Sequence, residues 1–150
     1  LFSFFASAPL GMNHPELCTD EFRQYLADVA INKPSNSDFY TEEMAEFVTT
    51  FADTAIPDSH PYLFFVSGGA LAVENALKAA FDWKARKLGR TSLESNVNDL
   101  VILHFRQAFH GRSGYTLSLT NTVPDKIGLF PKFDWPRISS PAPSPPRRWA

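Results

Sequence analysis

The sequence predicts an α/β chain, and three observations carry that prediction. Two short apolar runs, Tyr62–Val66 and Leu100–Phe105, read as strands buried on both faces. Segments with apolar residues at helical spacing lie before and between them, and such alternation marks an α/β architecture. Each run also ends in a turn of small or polar residues, where open α/β sheets place their ligands.

The elements follow in chain order. Leu1–Ala8 has an apolar body and a small-residue ending but no basic leader, so it reads as internal structure rather than a signal peptide. The chain is accordingly expected to start inside a longer gene product. From Pro15 to Val29, the residues Leu17, Phe22, Tyr25, Leu26 and Val29 form a helical stripe. Asn32–Asp38 is dense in turn formers and is expected to be an ordered loop. Thr41 is placed to cap a second helix, with Glu42 and Glu43 in its first turn complementing the dipole. Met44, Phe47, Val48 and Phe51 supply the apolar face of that helix, which ends at Ile56–Asp58.

A third helix is expected from about Ala70 to Leu88, stopped by Gly89. Its buried stripe would be Val73, Ala76, Leu77, Ala80, Phe81 and Leu88, with Glu74 and Lys78 paired on the wet side. The polar loop Arg90–Asp99 then leads to the second strand. Ser139–Ala150 is rich in proline and poor in core formers, so residues 139–150 are expected to be a disordered or polyproline-II tail. Pro143, Pro146 and Arg148 fit an SH3-ligand pattern, as many proline-rich strings do.

Composition narrows the function. A length of 150 residues suits one ordinary domain or a piece of a larger one, and 14 phenylalanines demand a sizeable core. A net charge of −2 gives no electrostatic reason to expect nucleic acid or an anionic membrane as partner. The single cysteine, Cys18, leaves no internal disulfide and fits a reducing, cytoplasmic compartment. No apolar run approaches the roughly 20 residues that span a bilayer.

Two constellations carry chemistry. At Ser67-Gly68-Gly69-Ala70 an apolar run turns directly into a helix, so free N–H groups and the positive end of a dipole converge on one spot. That arrangement suits a phosphate. The turn lacks the glycine and lysine spacing of the common nucleotide-binding loops. After the second strand, Phe109, His110 and Arg112 could stack a flat ring and pair with a carboxylate. Each also has a plain structural reading: Phe109 as core, His110 as a hydrogen bonder at a helix start, Arg112 as a surface charge.

Taken in order, Asn32–Asp38, Gly68–Lys84, Ala108–Thr122 and Phe130–Ile138 resemble the class III aminotransferases, and most of all their lysine-specific branch. The likeness covers roughly Leu1 to Ile138. It implies the N-terminal part of the fold-type-I large domain with an incomplete sheet, pyridoxal 5′-phosphate as cofactor, and a homodimer in the intact family. By the same resemblance Gly69 and Ala70 hold the cofactor phosphate through their N–H groups, Phe109 stacks on its ring, and His110 lies beside it. Arg112 would pair with the α-carboxylate of the substrate, leaving the far amine at the reacting centre. The implied reaction moves the ε-amino group of L-lysine to 2-oxoglutarate. Leu71 departs from the pattern, since many relatives carry Glu there.

The resemblance also marks what is missing. The family uses a cofactor-bearing lysine and an acidic partner well downstream, and none of Lys33, Lys78, Lys84, Lys87, Lys126 or Lys132 matches that lysine. The isolated chain is therefore expected to be inactive, with the tail after Ile138 a frameshifted or misassembled reading. The neighbours of both strands are expected to be absent, which predicts exposed edges and poor solubility. Three alternatives remain at this level: an ornithine- or 4-aminobutyrate-type transaminase, a phosphate-binding module without covalent chemistry, and a non-catalytic remnant that dimerises.

Overall fold

A computed structural model describes residues 7–31 and 39–141, which form two units dividing between Leu63 and Phe64. The expected loop Asn32–Asp38, most of the Leu1–Ala8 segment and the proline-rich tail beyond Pro141 lie outside the described residues.

In the first unit a 3-10 turn, Pro15–Cys18, leads into helix α1, Asp20–Ile31. Thr19 caps α1, its Oγ1 accepting from Phe22 N at 3.2 Å. Helix α2 spans Glu42–Ala55 and is capped as the sequence predicts, Thr41 Oγ1 accepting from Met44 N at 3.2 Å.

The second unit is organised by helix α3, Gly69–Lys87. Gly89, at φ 74°, ends it: Gly89 N donates to Arg86 O at 2.9 Å and Arg90 N to Ala85 O at 2.9 Å, the paired bonds of a Schellman motif. The short helix α4, Gly114–Leu119, packs on α3. Leu77, Leu119 and Trp135 form the centre of the core, with Val73, Phe81, Ile102 and Tyr115 around it. Tyr115, Phe133 and Trp135 extend the cluster, the last two stacked with centroids 4.9 Å apart.

Three expectations need correction. Tyr62–Val66 belongs to no strand, and Tyr62 is 92% exposed. A strand exists only through a pairing partner, which an apolar run cannot supply by itself. Of Leu100–Phe105 only His104–Phe105 forms a strand, β1, and it does have a neighbour. Strand β2, Arg137–Ile138, pairs with it in parallel, His104 opposite Arg137. Finally, the buried face of α3 runs through Val73, Glu74, Leu77, Phe81 and Ala85, while Ala76, Ala80 and Leu88 are exposed. Glu74 is not on the wet side: it is 7% exposed, and its carboxylate faces α4 rather than Lys78.

Candidate cofactor site

Gly68 opens α3 at φ 135°, a backbone state that strains any residue with a Cβ. The first amide taken up by the helix is Ala72 N, which donates to Gly68 O at 3.0 Å. Gly69, Ala70 and Leu71 precede it, and no side chain caps this end. A Cβ placed on Gly68 or Gly69 would meet nothing within 4 Å, so there is open space beside these two residues. Free donors and open space at a helix start are the conditions an anion requires.

The second constellation comes to the same place. Gly111 is buried at φ 112°, and a Cβ there would fall 2.5 Å from Ala70 Cβ and 2.9 Å from Ala70 Cα. Only glycine allows the loop to lie this close to the start of α3. Thr120, itself buried, holds the loop in shape: its Oγ1 accepts from His110 N at 3.0 Å and donates to Gly111 O at 2.5 Å. Asn121 N donates to Ala108 O at 2.9 Å and closes the same loop.

This fixed loop presents Phe109 and Arg112 outward. Phe109 is 58% exposed, and the Arg112 guanidinium stands 5.9 Å from its ring centroid. Both line a small cavity of about 40 Å³ with Thr120, Thr122 and Lys126. A larger cavity, about 810 Å³, lies along α3 between Asp82, Arg90 and Trp135, and none of the predicted site residues lines it. Phe109 is thus not core. His110 does act as a hydrogen bonder through its backbone.

Sequence reasoning missed Glu74 and Thr120. Glu74 accepts from Ser113 Oγ at 2.9 Å and from Thr116 N at 3.2 Å, both on one carboxylate oxygen. One signal was present, since Glu74 sits on the same helical face as Leu77 and Phe81. Behind the loop, His104 is buried with neither ring nitrogen hydrogen-bonded. Burial, and secondarily the charge of Arg137, pushes its pKa below the ordinary histidine value. Among the described residues no helix is long and apolar enough to cross a membrane.

An open helix start thus stands against a loop that presents an aromatic ring and an arginine. Residues 1–147 match the family described as Aminotransferase class-III, and the chain belongs to that family. It is 62% identical over 144 residues to the L-lysine-epsilon aminotransferase of Amycolatopsis lactamdurans, a match covering 95% of this chain and 31% of that protein. Identity to the L-lysine-epsilon aminotransferase of Streptomyces clavuligerus is 61%, again over 95% of this chain and 31% of the relative. The 4-aminobutyrate aminotransferase of Schizosaccharomyces pombe is 30% identical, over 95% of this chain and 33% of the relative. Among solved structures, the lysine aminotransferase of M. tuberculosis superposes with a TM-score of 0.85 at 56% identity, covering 97% of this chain and 33% of that one. The fold is therefore that of part of a fold-type-I transferase, and the chain spans about a third of the length of the relatives it matches.

Proposed function

We propose that this chain is the cofactor-anchoring part of an aminotransferase that moves the ε-amino group of L-lysine to 2-oxoglutarate. It would work with pyridoxal 5′-phosphate, as a cytoplasmic homodimer. Residues 1–138 are assigned to the enzyme and residues 139–150 to a proline-rich tail, of which residues 139–147 still fall within the family match. The isolated chain is assigned no covalent role for any of its lysines and is expected to be inactive.

One observation carries the reading: the backbone of Gly111 abuts Ala70, setting the uncapped amides of α3 beside the Phe109–Arg112 pair. Pyridoxal phosphate fits what is there, an anion for open amides and a flat ring for an exposed aromatic face. When bound, it supplies the electron sink for amino-group transfer. The protein's part is to bind and orient. Gly69 and Ala70 donate N–H groups to the phosphate, Phe109 offers its face to the ring, and His110 keeps the loop in register through its N–H bond to Thr120. Arg112, fork-shaped and permanently charged, takes the substrate α-carboxylate and so selects which amine reaches the reacting centre. The choice of lysine over 4-aminobutyrate is supported by 62% against 30% identity to relatives bearing those names.

The test exchanges residues 1–138 into the Amycolatopsis lactamdurans protein in place of its matching segment. Lysine-dependent transamination with 2-oxoglutarate is expected to persist, and Arg112→Lys in that hybrid to raise KM for lysine about tenfold or more. A hybrid that prefers ornithine or 4-aminobutyrate, or whose KM ignores Arg112, refutes the proposal.

A further inference from the structure

We propose that Glu74 is a positioning residue: its buried carboxylate fastens the Phe109–Arg112 loop to the helix that starts at the phosphate turn, and so sets the spacing between the two halves of the site. The inference rests on the cofactor reading above and extends it.

Glu74 lies on α3 little more than one turn from Ala70, and its Oε1 takes both Ser113 Oγ, at 2.9 Å, and Thr116 N, at 3.2 Å. Ser113 follows Arg112 directly. Its other bonds stay within its own turn: Ser113 N donates to Thr116 Oγ1 at 3.1 Å, and the two hydroxyls lie 2.9 Å apart. Ser113 and Thr116 form the capping box of α4, and Glu74 adds to it a tie from α3, taking both the cap hydroxyl and the Thr116 amide. Among the described residues no ion pair competes for the carboxylate. The start of α4 also lies against this carboxylate, since a Cβ on Gly114 would stand in ordinary contact with Glu74 Oε1, at 3.4 Å. Along the chain these partners are 39 and 42 residues from Glu74, so no element of local structure would otherwise fix their distance.

The chemistry predicts a split effect. The α3 amides that face the phosphate do not depend on Glu74, whereas the placement of Phe109 and Arg112 over a bound ring does. The test uses the full 150-residue chain, with calorimetric titrations of inorganic phosphate and of pyridoxal 5′-phosphate, and amide exchange followed by mass spectrometry. In Glu74→Ala, phosphate affinity is expected to stay within about twofold and pyridoxal 5′-phosphate affinity to fall about tenfold. Exchange should quicken about tenfold across residues 108–116 and stay unchanged across 77–87. Glu74→Gln keeps an oxygen at the same position and should restore both readouts. Ser113→Ala removes one of the two bonds to Glu74 together with the hydroxyl contact to Thr116 Oγ1, is expected to be intermediate in both readouts, and carries the test if Glu74→Ala fails to fold.

Equal weakening of both ligands, protection lost through α3 as well as the loop, or no change at all would each overturn the proposal. If the unaltered chain binds phosphate and pyridoxal 5′-phosphate equally, the cofactor reading fails instead, and the exchange pattern still decides whether Glu74 holds the loop.

Discussion

Gly111→Ala should be the most damaging single methyl that can be added to this site. The new Cβ would sit 2.5 Å from Ala70 Cβ, 2.9 Å from Ala70 Cα and 3.1 Å from Thr116 Oγ1. Carbon atoms prefer about 3.5–4.0 Å, so the overlap is about 1 Å, and it falls on Ala70 Cβ and the Cα behind it, neither of which can rotate away. Overpacking of this kind costs about 1–3 kcal/mol. The backbone angle of 112° adds strain for any non-glycine residue, another about 1–3 kcal/mol. The sum, about 2–6 kcal/mol, is comparable to the about 5–15 kcal/mol that holds a domain folded. With a urea slope of about 2 kcal/mol per molar, the unfolding midpoint should fall by about 1–3 M, read by far-ultraviolet circular dichroism. Gly69→Ala is the matched control. A Cβ there meets nothing within 4 Å, and alanine should leave stability unchanged or raise it by up to about 1 kcal/mol. A Gly111→Ala midpoint within about 0.25 M of the parent, or about 0.5 kcal/mol, would refute the claim that the loop and the helix start are pressed together.

Thr41→Ala removes the acceptor for Met44 N and should destabilise α2 by about 0.5–2 kcal/mol, seen as lost helical signal on mild heating. Burial, with the nearby charge of Arg137, lowers the folded pKa of His104 from 6.5. Its contribution to stability is therefore complete above that value and is lost as pH falls from it toward the folded pKa. The urea midpoint should drop as pH falls below 6.5, and His104→Phe should flatten that dependence. Asp99 is kept below the usual carboxylate range by its hydrogen bond from Arg90. Its stabilisation is present above the unfolded value of 3.8 and fades as pH drops through the folded one. Asp99→Asn should abolish that acid sensitivity and speed amide exchange across residues 90–99.

Local signals proved legible. Thr41 followed by two glutamates announced α2, and Gly89 after a long periodic stretch announced the end of α3, because caps and stops act over only a few residues. The two chemical segments were also visible, one as glycines entering a helix and the other as an aromatic, a histidine and an arginine after a strand. What failed was long-range. The wet-side Glu74–Lys78 pair followed a rule about neighbours on one helix, whereas the actual partners of Glu74 come from Ser113 and Thr116. Strand pairing between His104–Phe105 and Arg137–Ile138 was invisible for the same reason. The strand expected at Tyr62–Val66 rested on apolar content alone. Thr120 carried no signal of its own in the sequence, yet it fastens the loop by its hydroxyl.

The stacking of Phe133 on Trp135, with rings 8° from parallel, gives this unit an optical reporter. Trp135 is 7% exposed in a rigid, asymmetric setting, whereas Trp83 is 59% exposed beside Lys87. The inner indole should emit at shorter wavelength and dominate the near-ultraviolet dichroism. Because Trp135 touches residues from both α3 and α4, the disappearance of that band marks the moment the two helices part.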